Sequence, residues 1–180
     1  MKEGVCIPVV TFKTRVRDES IGGSNPFKWQ DLTTKEIFLG QRVVVFSLPG
    51  AFTPTCSTYQ VPRFEELYEE ICEQGINEIY VLSVNDTFVM RKWMLDQNVC
   101  KVKFIPDGNG EFTRQMGMLV DKSNIGFGSR SWRYAMVVDN GKIEKWFEEE
   151  GRCDNCDSDP YEQTKPENIL EYLRGAQKLK

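Results

Sequence analysis

The chain contains no histidine in its 180 residues. A Ser-His-Asp triad, a Cys-His pair and a His-ligated metal are excluded together. It also lacks any apolar run approaching the ~20 residues of a membrane span. Basic charge is not in excess, with 23 Lys and Arg against 27 Asp and Glu and a net charge of −4. A generic nucleic-acid binder needs a basic stripe that releases counterions from phosphates, so that class is set aside. No phosphate-cradling GxGxxG follows a strand-like run, and neither a nucleotide, a flavin nor any other cofactor or metal is expected. Between Met1 and Phe12 no charged stretch leads into an apolar stretch and a small-residue cleavage site. The expected compartment is therefore the cytoplasm. Cysteines are sparse, at 6, 56, 72, 100, 153 and 156. They do not make a small secreted disulfide scaffold, and in a reducing compartment most should be free thiols.

What is present fits one α/β domain over residues 1–180. A chain of this size buries about 70 % of its unfolded surface, so it needs neither a disulfide framework nor a metal to fold. Hydrophobic residues at 40 % and charged residues at 28 % are an ordinary globular balance. Val10, Phe12, Thr14 and Val16 alternate with Thr11, Lys13 and Arg15, which predicts a half-exposed strand over 10–16. Residues 18–26 read as a loop. Val43 to Leu48 are a β-branched run typical of a strand buried on both faces, and Pro49-Gly50 ends it.

From Ser57 to Gln74 the period becomes helical, with Phe64, Leu67, Tyr68, Ile71 and Cys72 on one face and glutamates outside. Gly75 is placed to stop that helix. A second strand is expected over 79–84, a helix over 88–97, a third strand over 102–106 and a short helix over 111–119. Trp132–Val138 and Lys142–Phe147 flank Asn140-Gly141, a strong hairpin signal. Residues 148–165 are acidic and turn-rich. Pro166 opens a last helix with Ile169, Leu170, Leu173 and Ala176 inward. This order gives a central mixed sheet with helices on both faces, preceded by an N-terminal strand extension.

The segment Pro49-Gly-Ala-Phe-Thr-Pro-Thr-Cys56-Ser joins a buried strand to an amphipathic helix. It places Cys56 in the first turn, where free N–H groups and the helix dipole favour an anion. A thiolate is such an anion, so a reactive sulfur needs no histidine here. Position alone leaves it equally open that Cys56 is a small buried hydrophobe.

Pro49, Thr53 and Cys56 reproduce a Pro-Thr-Cys spacing that resembles the peroxiredoxins, and PGAFTPTCS is similar to their type II, or type-five, branch. Ser83–Met90, Phe104–Phe112 and Gly126–Tyr134 extend the likeness over about residues 8 to 147. Together they look most like the peroxiredoxin half of bacterial peroxiredoxin–glutaredoxin fusions. The resemblance implies a thioredoxin-like fold and a thiol peroxidase acting on hydrogen peroxide and organic hydroperoxides. It implies that Cys56 attacks the O–O bond and becomes a sulfenic acid. Thr53 would hydrogen-bond the peroxide, Pro49 would wall off water, and Arg133 in Trp132-Arg133-Tyr134 would stabilise thiolate and departing oxygen. Arg130 is the rival cation, expected as a solvated loop residue. Relatives usually carry a histidine where this chain has Gln60, an amide that cannot become a cation.

A sulfenic acid must meet a thiol or over-oxidise. Cys72 lies about 24 Å farther along the same expected helix and is assigned to the core. Cys6 and Cys100 are expected to have no function. Cys153-Asp-Asn-Cys156 is flanked by Asp154, Asp157 and Asp159, which oppose a thioredoxin-type nucleophile, and it lacks a second ligand pair for zinc. It reads either as two exposed loop thiols or, by the resemblance, as holding a resolving cysteine, Cys153 or Cys156, that condenses with Cys56. Otherwise the relatives imply glutathione with glutaredoxin, or thioredoxin, as the reductant. The glutaredoxin half is expected to be a separate partner. The relatives further imply a homodimer, with Phe52 and Phe127 as candidate contacts. The rival function is a non-turnover peroxide sensor that relays its disulfide to a client protein.

Overall fold

A computed structural model of the protein describes residues 2–177. The chain forms β1 (Thr11–Arg17), β2 (Phe27–Thr33), α1 (Thr34–Phe38) and β3 (Arg42–Ser47) before Pro49-Gly50. A π-helical turn (Cys56–Gln60) then leads into α2 (Val61–Glu66) and α3 (Tyr68–Cys72), followed by β4 (Glu78–Ser83), α4 (Thr87–Asp96) and β5 (Lys103–Pro106). The remainder is α5 (Glu111–Gln115), β6 (Leu119–Asp121), β7 (Ser129–Ser131), β8 (Tyr134–Asp139), β9 (Lys142–Glu148) and α6 (Pro166–Gln177).

The β-branched run of β3 lies at the centre of a five-stranded sheet of order β5-β4-β3-β8-β9. β3 pairs in parallel with β4 and antiparallel with β8, so the sheet is mixed, as the element order predicts. Alternate side chains of β3 feed two cores. Val44 and Phe46 join α2, α3, α4 and α6 on one face. Val43 and Val45 join Ile37 and Phe38 of α1, Phe112 of α5 and Phe12 of β1 on the other. Phe46 stacks on Phe64 with ring centroids 3.8 Å apart, tying the central strand to the helix that follows the π-helical turn.

The N-terminal extension is a hairpin, with Phe12 opposite Leu32. Cations over aromatic rings hold it to α4: the Arg15 guanidinium lies 5.1 Å from the Phe88 ring and that of Arg91 lies 4.2 Å from the Phe27 ring. β2 carries no apolar alternation because most of its side chains are exposed. Its partner strand and the Thr33–Glu36 capping box at the head of α1 set its position instead.

Three expectations are corrected. The single helix over 57–74 is broken at Leu67, whose ψ of 7° is not helical. Pro62, the second residue after the π-turn, has no N–H to continue an α-helical ladder. The break leaves Cys72 half-buried at the end of α3, outside the core that Ile71 enters. The short helix stops at Gln115, because Gly117 turns the chain at φ +66° and β6 follows. Trp132 and Arg133 precede β8 instead of lying within it.

Candidate active site

Helical turns begin at Pro54, so Cys56 sits in the first turn, as its sequence setting requires. Its side chain is fully buried. The Val61 N–H donates to the Cys56 carbonyl, closing the wide turn that carries residues 56–60. Such turns insert one extra residue and recur at functional sites. The loop before it is held from several sides. Thr53 Oγ1 donates to the Gly50 carbonyl at 2.8 Å, and the Ser57 N–H donates to the Thr53 carbonyl at 3.0 Å. Asn85 Oδ1 accepts from the Ala51 N–H at 3.0 Å and from Ser83 Oγ at 2.6 Å. Trp93 Nε1 donates to Ser57 Oγ at 3.0 Å. Pro49 and Gly50 are buried, and Phe52 takes a left-handed φ of +64° with half its surface exposed. The chain thus turns sharply between Pro49 and Thr53, and Thr53 closes that turn onto Gly50 just before the helical turns begin.

Arg133 reaches this turn from the segment between β7 and β8. It is 1 % exposed, and its donors are shared out. Nη1 donates to Cys56 Sγ at 3.5 Å and also to Gln60 Oε1. Nη2 pairs with Asp159 Oδ1 at 2.6 Å, and Nε donates to the Pro160 carbonyl at 3.0 Å. The Tyr161 ring lies 5.6 Å from the guanidinium carbon. Burial works to lower the Arg133 pKa, but the charges of Cys56 and Asp159 outweigh it and raise the pKa. A permanent cation is therefore fixed against the sulfur.

Arg133 and Cys56 are brought together from distant parts of the sequence, while Thr53 is tied to the same turn through Gly50 and Ser57 and Pro49 is buried at its start. Asp159, Pro160 and Gln60 complete the ring around Arg133. A buried arginine needs a carboxylate, but nothing in the sequence singles out Asp159 from the other acidic residues of 148–165.

Arg130 is not a solvated loop residue. It lies in β7, half-buried, with Nη1 donating to the Val84 carbonyl at 3.2 Å and Nε to the Phe127 carbonyl at 3.1 Å. Burial lowers its pKa. The carbonyls of its own turn and of the end of β4 draw it inward beside Gly50.

Cys153 and Cys156 are joined to each other by a disulfide, with Cα atoms 5.4 Å apart. Between them, Asp154 Oδ1 accepts from the Asp121 N–H at 2.8 Å, and Asn155 Oδ1 accepts from the Asn124 N–H at 2.9 Å. Cys156 packs against the core on the sheet face opposite to that of Cys56. Cys6, Cys72 and Cys100 are free thiols, the first and last exposed. Burial pushes the Cys72 thiol pKa up.

Residues 27–163 match the family model described as Redoxin, and the chain belongs to that family. Its relatives place it among the peroxiredoxins, which makes it a thiol peroxidase with the thioredoxin-like fold. It is 62 % identical over 169 residues to a peroxiredoxin of Rhizobium etli, covering 94 % of each chain. It is 50 % identical over 171 residues to the hybrid peroxiredoxin hyPrx5 of Haemophilus influenzae, covering 95 % of this chain and 66 % of that one. Among solved structures, the Plasmodium falciparum antioxidant protein, a 1-Cys peroxiredoxin, superposes with a TM-score of 0.89 at 37 % identity. That match covers 96 % of this chain and 99 % of the other. No helix among the described residues is long and apolar enough to cross a membrane.

Proposed function

We propose that Cys56 is the peroxidatic residue of this thiol peroxidase and that it acts on hydrogen peroxide and small organic hydroperoxides. The observation that carries this reading is the buried Arg133 guanidinium, 3.5 Å from Cys56 Sγ. The thiolate attacks the nearer peroxide oxygen, the O–O bond breaks, and the farther oxygen leaves with the electron pair and takes up a proton. Sulfur is oxidised to a sulfenic acid. Arg133 faces both the attacking and the departing charge, and a fixed donor in a water-poor site is worth about a hundredfold in rate. Thr53 Oγ1–H, which donates to the Gly50 carbonyl in this structure, is the donor assigned to the peroxide and turns its one proton to the substrate on binding, and Pro49 keeps water from the turn.

For the return step we propose an external thiol, glutathione with glutaredoxin or else thioredoxin. The hybrid character of the Haemophilus relative and the 1-Cys name of the Plasmodium structure support this. A resolving role for Cys153 or Cys156 requires their mutual disulfide to open and the loop to leave the opposite sheet face. Exposed Phe52 supports a homodimer contact beside the site, and Phe127 is the other candidate. Free thiols at Cys6, Cys56, Cys72 and Cys100 fit a cytoplasmic setting.

The test is peptide-mapped mass of the reduced protein after one equivalent of hydrogen peroxide, followed by steady-state peroxide consumption with each thiol donor. Oxygen added at Cys56 and sustained turnover with glutathione and glutaredoxin are expected. An unmodified Cys56 overturns the reading. A single stoichiometric turnover with every donor would make the protein a sensor instead, and a disulfide from Cys56 to Cys153 or Cys156 would restore an internal cycle.

A further inference from the structure

Gln60 is fully buried on the π-helical turn that begins at Cys56. Arginine carries donors only, so the Gln60 amide must turn its oxygen toward Arg133 Nη1, and the same nitrogen donates to Cys56 Sγ. This settles which end of the amide is which. The Nε2 end is then buried with no hydrogen-bond partner. Among the described residues only Arg15 Nε and the Tyr134 hydroxyl share that state. A buried donor left unpaired is costly, and a methionine of similar length would fill the space without that cost. The charged and titratable groups around the amide are Cys56 and Arg133, with Asp159 and Tyr161 behind Arg133. None of them offers Nε2 an acceptor.

An acceptor appears when Cys56 reacts. Before the reaction the negative charge sits on sulfur and is met by Arg133. Once the S–O bond has formed and the O–O bond has broken, the charge has gone to the departing oxygen, and the oxygen now on sulfur brings lone pairs that can accept a hydrogen bond where none was before. We propose that Gln60 is a catalytic residue whose Nε2–H hydrogen-bonds the oxygen that Cys56 takes from the peroxide, while its Oε1 holds Arg133 on the sulfur. The inference rests on Cys56 being the peroxidatic residue. The balance is that of the proposed reaction: the thiolate loses two electrons to the hydroperoxide, one oxygen stays on sulfur, and the other leaves as water or an alcohol. Gln60 gives up no proton in the cycle.

The experiment compares two reactions of Cys56 in the full chain: oxidation by hydrogen peroxide, which brings an oxygen, and alkylation by iodoacetamide, which does not. Gln60→Met removes both amide functions at nearly constant volume. Its ratio of peroxide rate to alkylation rate is expected to fall about tenfold below wild type. Asp159→Ala, which loosens the same guanidinium and leaves Gln60 in place, gives the ratio that a role confined to holding Arg133 would produce, and a Gln60→Met ratio no lower than that overturns the proposal. Gln60→His keeps a donor and an acceptor when neutral, so at pH 8 it should recover most of the ratio. A ratio as low as that of Gln60→Met at that pH also counts against the proposal. If wild type itself leaves Cys56 unoxidised, the peroxidatic assignment falls and this inference with it. If wild type is oxidised normally and the Gln60→Met ratio matches it, only this inference falls.

Discussion

Arg133 and Asp159 form an ion pair of 2.6 Å in which the arginine is almost wholly buried while the carboxylate side chain is 44 % exposed. The asymmetry sets what each partner contributes. Asp159 keeps much of its hydration and anchors one end of the guanidinium, leaving the other end to Cys56 and Gln60. Asp159→Ala is expected to slow peroxide oxidation of Cys56 about fivefold, because a half-exposed pair is worth on the order of 1 kcal/mol. Asp159→Asn, which keeps an acceptor, should lose less. Competition against a standard peroxidase for limiting peroxide measures both, and a rate for Asp159→Ala equal to wild type would show that the anchor is idle.

Removing the cation itself reaches further. Arg133→Met leaves the sulfur without the charged donor it has among the described residues and should cut the oxidation rate by about a hundredfold. Arg133→Lys should fall between the two, since an ammonium cannot serve Cys56, Asp159 and the Pro160 carbonyl from one planar fork. Unfolding midpoints of both variants, taken alongside the rates, separate loss of chemistry from loss of fold.

Gly50 is a crowded position in the reactive loop. A methyl group there would stand 3.3 Å from both Arg130 Nη1 and Thr53 Cγ2. Gly50→Ala is expected to displace Thr53 by a few tenths of an ångström and to slow peroxide oxidation severalfold. Trimming the other neighbour with Arg130→Ala in the same chain should recover part of that loss. Additive effects in the double-mutant cycle would mean that the three residues are not in contact during the reaction.

The disulfide in the acidic loop gives a stability prediction. Closing so short a loop restricts the unfolded chain by about 2 kcal/mol at most. Cys153→Ser/Cys156→Ser should therefore lower unfolding stability by that amount or less. Its steady-state peroxidase rate with an external thiol should be unchanged. A collapse of turnover would give these cysteines a part in the cycle.

Cys72 supplies a pH dependence. Burial raises its thiol pKa, so the reactive thiolate is scarcer near neutral pH and its alkylation should keep rising with pH beyond the usual thiol range of about 8.5. Pulse alkylation with peptide mapping between pH 7 and 10 measures this. A plateau at Cys72 below pH 8.5 would contradict the burial.

The central strands, the hairpin at Asn140-Gly141 and the last helix were legible because their side chains alternate or recur with the period of the structure they build. Cys56, Thr53 and Pro49 were legible because they lie within a few residues of one another. Other features depended on contacts that no local pattern records. β2 has no buried face to write into its sequence. The helix break at Leu67 interrupts a continuous apolar stripe, and the stripe gives no sign of it. Arg130 reads as a loop cation because its acceptors are carbonyls, which are the same whatever side chain they accompany. Asp159 meets Arg133 only after the acidic segment has folded back across the sheet.

That folding back has its own consequence for the timing of synthesis. Glu149 is buried and accepts from the backbone N–H groups of Glu162 and Thr164, which stitches the segment carrying Asp159, Pro160 and Tyr161 into place. A ribosome-bound chain that has released Cys56 but not yet this segment holds the sulfur without its finished electrostatic surround. On the proposed role of Cys56, full reactivity toward peroxide is expected only once residues 149–164 have been synthesised and have docked.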